Sequence, residues 1–451
     1  MAQRLVVIGG GAAGMSAASA ARRVDPEREI VVLEATGHAA YGLCGIPYYL
    51  AGLVERAEAL YSYPPSYFRQ RRRIDLRLHA EAVELDPERR ELRYREGGQD
   101  RRLAYGDLVV AAGGAPVQPA LPGVTDARVV TVRTLEDAVA LRALLDEGRL
   151  RTAVVVGAGY VGLEMAEALH ARGVRMTVVE AAAQVMPNLD EPVAALVADE
   201  VRRHGVDLRL GVPFEGVRRD GDALVALVDG AALPADLVVL AMGVRPAADV
   251  ATLAGARTGP AGALLVDEEM CTTLPSVYAA GDCIAPQHLV LGRPAYLPLG
   301  PAGNKTGRVA GTVVAGGTAR FRGVVGTAVV KVFNLAVART GLTLTEARQA
   351  LGAEPVATDA VGRSCAKYYP GSEPVTVRLV HEPGGRLLGA QFVSRGEVAK
   401  RVDVVATALQ AGFDVADLLH LDLSYAPPYA PVYEPVLLAA QAAIAPSAVP
   451  A

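Results

Sequence analysis

The sequence is poor in the features that mark several common classes of protein. Its 451 residues include four cysteines, none of them in a C-x-x-C pair, so we expect neither a disulfide framework nor a metal site. Thiols this few and this scattered suit a reducing cytoplasm. The formal net charge of −4 gives no reason to expect a nucleic-acid partner.

Long apolar runs are absent as well. No stretch of about 18 uninterrupted apolar residues occurs, so we expect no membrane span. The first residues, MAQRLVVIGGGAAGMSAASAA, superficially imitate a signal peptide, but their glycines fall at dinucleotide-binding positions. We therefore expect a soluble, cytoplasmic protein. Its length and its hydrophobic fraction of 51% predict two or three domains with sizeable cores.

A dinucleotide-binding fingerprint opens the chain. The segment RLVVIGGGAAGMSAASAARRV reads as strand, glycine turn and helix, with Gly9, Gly11 and Gly14 in a G-x-G-x-x-G pattern. These glycines permit a tight turn, approach of the backbone to a pyrophosphate, and close packing of helix on strand. Glu34 ends the next strand, where an acid accepts a hydrogen bond from a ribose hydroxyl.

The same fingerprint is repeated further along the chain. Gly157, Gly159 and Gly162 occupy a second glycine turn, and Glu180 ends the strand that follows. Two complete fingerprints predict two bound dinucleotides. Because three alanines and no basic residue follow Glu180, the second site is expected to prefer NADH, although NADPH is possible.

The order of these segments predicts an α/β protein with two Rossmann-like domains and a C-terminal α+β domain. The boundaries fall at residues 1–111, 112–244, 245–325 and 326–451, with the third segment returning to the first domain. From residue 326 the pattern indicates strand, hairpin and helix. The tail LDLSYAPPYAPVYEPVLLAAQ is too rich in proline and tyrosine for an ordinary helix.

Cys44 lies in the segment AAYGLCGIPYYLAG, shortly after the first fingerprint. It could be a buried small hydrophobe, half of a disulfide, or a lone redox nucleophile. Pro47 is well placed as the first residue of a helix, which puts Cys44 just before a helix N-terminus. We expect that position to lower the thiol pKa below its usual value of about 8.5. The other cysteines, Cys271, Cys283 and Cys365, are expected to have packing roles.

This order of motifs resembles the flavin-dependent pyridine nucleotide-disulfide reductases over essentially the whole chain. The resemblance implies FAD on the first fingerprint, NADH on the second, and a C-terminal dimerisation domain in a homodimer. It also implies that Asp282, in TLPSVYAAGD, holds the ribityl chain of FAD. The helix that begins around Pro301 and Ala302 would point its N-terminal dipole at the flavin. Tyr160 matches an aromatic gate over the flavin, and Glu164 would lie near the flavin–nicotinamide stack.

The subgroup within that family is indicated by what is missing. Two-cysteine members use C-x-x-x-x-C, but the residues five after and five before Cys44 are Tyr49 and Ala39. They also carry a histidine in the tail, and no histidine follows His420. Among single-cysteine members, NADH oxidases and peroxidases usually place a histidine in the first glycine loop, where this chain has Ala12.

Coenzyme A-disulfide reductases match better. Their C-G-x-P-Y, Y-Y-P-G and Y-A-P-P-Y segments resemble Cys44 to Tyr48, Tyr368 to Gly371 and Tyr425 to Tyr429. The resemblance implies that tyrosines reach across the dimer to the partner's cysteine. One departure is the run Ala-Tyr-Gly-Leu before Cys44, where the family often has Ser-Phe-x-Asn. The implied catalytic residues are Cys44, Tyr425, Tyr368 and Tyr369, and the candidate substrate contacts are Tyr48, Tyr429, Arg22 and Arg23.

The implied cycle passes electrons from NADH through FAD to a mixed disulfide between Cys44 and coenzyme A. A tyrosine hydroxyl would stabilise or protonate the leaving thiolate. Arg22 and Arg23 are candidates to meet the phosphates of coenzyme A, although a solvated helix end explains them equally well. Two other functions stay open: an NADH oxidase or peroxidase that cycles Cys44 through a sulfenic acid, and a flavin-binding redox sensor with little turnover.

Overall fold

The structure is a computed structural model that describes residues 4–352 and 354–444. Its first glycine turn follows the central strand of a parallel five-stranded sheet. The strands are apolar on both faces, as in LVVI and IVVL, because helices cover both sides of a parallel sheet. In spatial order they are Val277–Ala279, Asp107–Val110, Leu5–Ile8, Ile30–Leu33 and Asp75–Arg77. The helices of this part are Ala12–Val24, Ile46–Ala51, Pro65–Gln70, Asp249–Leu253 and Gly300–Val314.

A small antiparallel sheet and two short strand pairs are attached to this domain. The sheet consists of Ala80–Asp86, Glu91–Glu96 and Gln99–Ala104. The short pairs are Leu264–Leu265 with Ile284–Ala285, and Gln287–His288 with Arg293–Pro294.

The second glycine turn has the same setting in a second parallel sheet. Its strands, in spatial order, are Asp207–Leu210, Arg175–Glu180, Thr152–Val156, Leu237–Leu240 and Val129–Val130. An antiparallel sheet beside it contains Phe214–Asp220, Ala223–Val228 and Ala231–Ala235. The helices are Leu135–Asp146, Tyr160–Ala171 and Glu191–Arg203.

The chain leaves the first domain and returns to it along one pair of strands. Gly114–Pro116 leads out, Val244–Pro246 leads back, and the two pair in antiparallel fashion. This double crossing lies beside the boundaries that the sequence predicts at residues 111/112 and 244/245, which stay predictions. The returning chain then adds Val277–Ala279 to the edge of the first sheet, so that domain is assembled from two separated stretches of sequence.

The C-terminal domain is an antiparallel sheet with helices packed against it, as the α+β pattern predicts. The strands in spatial order are Ala328–Val332, Leu335–Gly341, Leu387–Ser394, Pro374–His381 and Val356–Arg363. The helices are Leu344–Leu351, Ala399–Ala411, Val415–Leu419 and Pro435–Ile444. The predicted fold class, two Rossmann-like domains and an α+β domain, is confirmed.

The tail departs from expectation in its last part. Residues 421–434 contain no regular helix or strand, as its prolines predict, but a helix runs from Pro435 to Ile444. Proline is tolerated at the first helical position because its missing N–H is not needed there. Val436, Ala439 and Ala440 are fully buried, so packing of one apolar face stabilises this helix.

Within residues 4–352 and 354–444, no helix is long and apolar enough to cross a membrane. The same residues include no cluster of three or more His, Cys, Asp or Glu side chains arranged to hold a metal ion.

Candidate active site

The two glycine turns have nearly the same geometry. Gly9 and Gly157 adopt φ angles of +101° and +106°, which side chains disfavour. A Cβ on either would lie 2.3 Å from a carbonyl oxygen of the adjacent strand end. A Cβ on Gly14 or Gly162 would lie 1.9 Å from the carbonyl oxygen of the first glycine of its own turn. These four positions therefore exclude any side chain.

The two acids that end the second strands are also equivalent. One carboxylate oxygen of Glu34 accepts from the Gly10 N–H at 2.7 Å, and one of Glu180 accepts from the Ala158 N–H at 2.7 Å. The other oxygen of each accepts from the N–H two residues along, at 2.8 and 2.9 Å. The same Glu34 oxygen also accepts from the Thr36 hydroxyl at 2.7 Å. A lone pair for a ribose hydroxyl therefore remains on the oxygen of Glu34 that faces Gly10 and on both oxygens of Glu180.

Both turns fit a dinucleotide. A Cβ built on Gly11 or Gly159 would meet nothing within 4 Å, so at these positions the backbone faces open space. Each of these glycines is the N-cap of a helix, Ala12–Val24 or Tyr160–Ala171. The unpaired N–H groups and the dipole of a helix N-terminus favour a phosphate there.

A single hydroxyl joins the segments that carry Asp282 and Ala302. Thr306 accepts from the Gly281 N–H at 3.1 Å and donates to the Ala302 carbonyl at 2.7 Å. These bonds fix the start of the helix Gly300–Val314 beside the single-turn helix Gly281–Cys283, which carries Asp282. The carboxylate of Asp282, which is three-quarters buried, lies 3.4 Å from the guanidinium of Arg133. A carboxylate and a guanidinium thus lie beside the start of the helix Gly300–Val314.

Arg133 is a site residue that sequence reasoning missed. Its Nε donates to the Gly114 carbonyl at 2.9 Å, and its positive charge acts on Cys44 as well as on Asp282. In the sequence it is merely the residue before Thr134, the N-cap of a helix with a capping box. Only its neighbours in space mark it as part of the site.

Cys44 occupies a single-turn helix, Leu43–Gly45, directly before the helix Ile46–Ala51. Its side chain is exposed, and all four cysteines of the chain are free thiols. This excludes the disulfide interpretation within one chain and the buried-hydrophobe interpretation of Cys44. Cys283 and Cys365 are buried, as their expected packing roles require.

The expected lowering of the Cys44 pKa is wrong for this structure. Partial burial among neighbouring groups raises the pKa of the Cys44 thiol, and the carboxylates of Glu164 and Asp282 raise it further, against the opposing charge of Arg133. The helix that follows is only six residues long, so its dipole is small beside two nearby carboxylates. The thiolate therefore needs another positive charge, or loss of a negative one, to form readily near pH 7.

Glu164 is the second unusual acid of the site. Burial raises its pKa to about 7, with a contribution from the carboxylate of Glu167. It acts on Cys44 and on Tyr48, whose hydroxyl pKa is raised by burial and then by Glu164. Glu164 lies on the helix of the second glycine turn, whereas Asp282 belongs to the first domain. Cys44 thus lies where the two Rossmann-like domains meet.

Tyr160 is the first residue of the helix after the second glycine turn, and its ring is partly buried. The side-chain amide of Asn188 donates to the Tyr160 hydroxyl oxygen at 2.9 Å. Burial raises the pKa of the Tyr160 hydroxyl, so it is a neutral phenol at physiological pH.

The C-terminal tyrosines form a separate, exposed group. The neighbouring Tyr425 hydroxyl raises the pKa of the Tyr368 hydroxyl, and the Ala366 N–H donates to the Pro427 carbonyl at 3.0 Å. The structure therefore joins the two tyrosine segments. The two segments and the residues that follow the second one carry six exposed aromatic and aliphatic side chains. They are Tyr368, Tyr369, Tyr425, Tyr429, Val432 and Tyr433.

The two arginines at the end of the first helix differ from each other. Arg22 donates to the carbonyls of Pro26, Arg72 and Arg73 at 2.7, 2.9 and 2.8 Å. These bonds favour the helix-end interpretation of Arg22 over phosphate binding. Arg23 is exposed.

Comparisons with known proteins identify relatives over the whole chain. The sequence model described as "Pyridine nucleotide-disulphide oxidoreductase" matches residues 3–310. The one described as "Pyridine nucleotide-disulphide oxidoreductase, dimerisation domain" matches residues 327–435.

Individual proteins are also similar. The "NAD(P)H coenzyme A polysulfide/persulfide reductase" of Pyrococcus horikoshii is 38% identical over 443 residues, 98% of each chain. An "NADH oxidase" of Methanocaldococcus jannaschii is 33% identical over 447 residues, again 98% of each chain. The solved structure of a NAD-dependent persulfide reductase from A. fulgidus superposes with a TM-score of 0.94 at 39% identity, covering 98% of this chain and 83% of that one.

Replacing Glu164 by glutamine is expected to lower the pKa of Cys44, because it removes a negative charge that disfavours the thiolate. The rate of iodoacetamide alkylation of Cys44 against pH measures this pKa. In the wild type the profile should bend a second time near pH 7, where Glu164 titrates, and this bend should disappear in Glu164→Gln.

Glu167→Gln is the matched control, one helical turn away. Its carboxylate pairs with Lys331 and accepts from the Phe333 N–H at 2.8 Å, and it does not act directly on Cys44. In Glu167→Gln, the main inflection of the alkylation profile, which reports the pKa of Cys44, should match that of the wild type. An unchanged or raised thiol pKa in Glu164→Gln would contradict the electrostatic account of the site.

Proposed function

Because this chain belongs to the pyridine nucleotide-disulphide oxidoreductase family, we propose that it uses NAD(P)H to reduce a coenzyme A disulfide or persulfide. The family implies FAD and NAD(P)H as cofactors, and the chain is an oxidoreductase. The observation that carries the proposal is the position of Cys44, a lone exposed thiol under the influence of Glu164 from one dinucleotide domain and Asp282 from the other.

FAD would be held by the first glycine turn, Glu34, Asp282 and the helix that contains Ala302, and the nicotinamide dinucleotide by the second turn and Glu180. When bound, the flavin supplies transfer of an electron pair from NAD(P)H to a disulfide. Both glycine turns have the open backbone and the acid that such ligands require. Without a basic residue after Glu180, NADH is the preferred donor.

The chemistry on the protein is thiol–disulfide exchange. The Cys44 thiolate attacks one sulfur of coenzyme A disulfide, a Cys44–coenzyme A disulfide forms, and the first coenzyme A leaves as a thiolate that takes up a proton. Two electrons then break the mixed disulfide and restore the Cys44 thiolate with release of the second coenzyme A. The protein has no neighbouring cysteine to resolve the mixed disulfide internally.

The tyrosine group is proposed to complete this site from the partner subunit. The groups that shift the pKa of Cys44 belong to the first two domains, whereas Tyr368 and Tyr425 lie on the domain whose family model is named for dimerisation. An exposed aromatic patch of this kind suits a protein interface. The hydroxyls of Tyr368 and Tyr425 would then stabilise the departing coenzyme A thiolate, and Tyr48, Tyr369 and Tyr429 would line the substrate path.

An NADH oxidase is the second candidate, and the relative from Methanocaldococcus jannaschii favours it. In that cycle a peroxide would oxidise Cys44 to a sulfenic acid, and two electrons would return it to the thiolate with release of water. Ala12 stands where oxidases usually have a histidine, which argues for the disulfide or persulfide reductase instead.

Steady-state oxidation of NADH with coenzyme A disulfide, coenzyme A persulfide, hydrogen peroxide and oxygen tests the proposed function. A coenzyme A disulfide or persulfide should be the fastest acceptor, and Cys44→Ser should lose that turnover by at least a hundredfold because the nucleophile is gone. Cys271→Ser is the matched control and should keep it. Faster turnover with oxygen, or retained disulfide turnover in Cys44→Ser, would contradict the proposal.

Mixed dimers test the shared site. Cys44→Ser and Tyr425→Phe/Tyr368→Phe subunits, each weakly active alone, should form mixed dimers with about half the wild-type activity per dimer. One of the two sites then has both an intact cysteine and intact tyrosines. If each subunit used its own tyrosines, both sites would be damaged and the mixed dimer would be no more active than its parents.

A further inference from the structure

The hydroxyl of Tyr160 is tied to a loop that belongs to the second domain. The Asn188 amide donates to it at 2.9 Å, and Asn188 lies in the turn-rich segment before the helix Glu191–Arg203. By resemblance to its family, Tyr160 covers the flavin until a nicotinamide displaces it, and this inference rests on that role and on the proposed function. A ring that must move to admit a nicotinamide would first have to give up this bond.

The loop is in turn anchored on the C-terminal domain. Arg339 is only 7% exposed, and one of its guanidinium nitrogens donates a hydrogen bond to the carbonyl of Asn188. The same guanidinium donates to the Gly341 carbonyl at 2.8 Å and forms an ion pair with Glu346 at 2.7 Å. These two contacts hold the planar guanidinium of Arg339 in the orientation in which it donates to Asn188.

A second set of buried polar contacts fixes the end of the same loop. Gln391 accepts from the Asp190 N–H and donates to its carboxylate, both at 2.7 Å. Arg378 pairs with that carboxylate at 3.2 Å. Buried polar groups with such partners are costly to separate, so these contacts fix the end of the loop that carries Asn188 on the C-terminal domain.

We propose that Asn188 and Arg339 are positioning residues that hold the Tyr160 ring over the nicotinamide site, so that the C-terminal domain sets how easily NADH or NAD⁺ enters. Breaking the Asn188–Tyr160 bond is part of the work of nucleotide binding. One neutral hydrogen bond of ordinary net strength then weakens dinucleotide affinity by about fivefold. The contact also keeps the flavin side of the site covered when no nicotinamide is present.

A double-mutant cycle on the FAD-loaded enzyme tests this, with the Kd of NAD⁺ measured by titration calorimetry. Tyr160→Phe and Asn188→Ala should each tighten NAD⁺ binding by about fivefold, and the double variant should gain nothing further because both changes remove the same bond. Arg339→Met should act in the same direction, and Arg339→Lys should restore part of the wild-type affinity.

Gln184→Ala is the matched control. Gln184 lies in the same loop and donates to the Leu189 carbonyl at 2.9 Å, but it is not bonded to Tyr160, so its NAD⁺ affinity should equal that of the wild type. Unchanged or weaker binding in Asn188→Ala, additive effects in the double variant, or the same gain in Gln184→Ala would each overturn the proposal. Failure of the wild type to bind NAD⁺ at all would overturn the proposed function as well.

Discussion

The first domain depends on the contact between two helices that lie far apart in sequence. A Cβ on Gly307 would lie 2.1 Å from the Ala13 carbonyl oxygen, and one on Gly311 would lie 2.0 Å from that of Ala17. Only glycine permits this approach. It holds the helix Gly300–Val314 against the helix of the first glycine turn, so the Asp282 cluster and the phosphate loop become one site. The contact joins the returning stretch of chain to the first stretch of the domain.

Electrostatics gives the lone thiol its character. Cys44 lies between an acid of each dinucleotide domain, and both raise its pKa. A thiol of this kind is a poor nucleophile while the site holds only these charges, and a better one when its surroundings become more positive or when Glu164, with a pKa of about 7, is protonated.

The local parts of this structure could be predicted from the sequence, and the distant ones could not. Both glycine turns, their acids, the hairpin and the helix after Cys44 depend on residues close together in the chain. The direction of the Cys44 pKa shift depends first on burial of the thiol and then on its neighbours Glu164 and Asp282, and the role of Arg133 depends on Asp282. Those neighbours are set by the fold. The bonds of Arg22 to backbone carbonyls are equally invisible in a sequence, where an arginine at a helix end is simply a charge.

The proposed mechanism requires that Cys44 forms a disulfide with coenzyme A during turnover. Mass spectrometry of the intact chain, after incubation with coenzyme A disulfide and without reductant, tests it most directly. We expect a mass increase of one coenzyme A per chain. The added group should map to the peptide that contains Cys44, and one equivalent of NADH should release it. A chain that carries no coenzyme A, or carries it on Cys271 instead, would contradict the account.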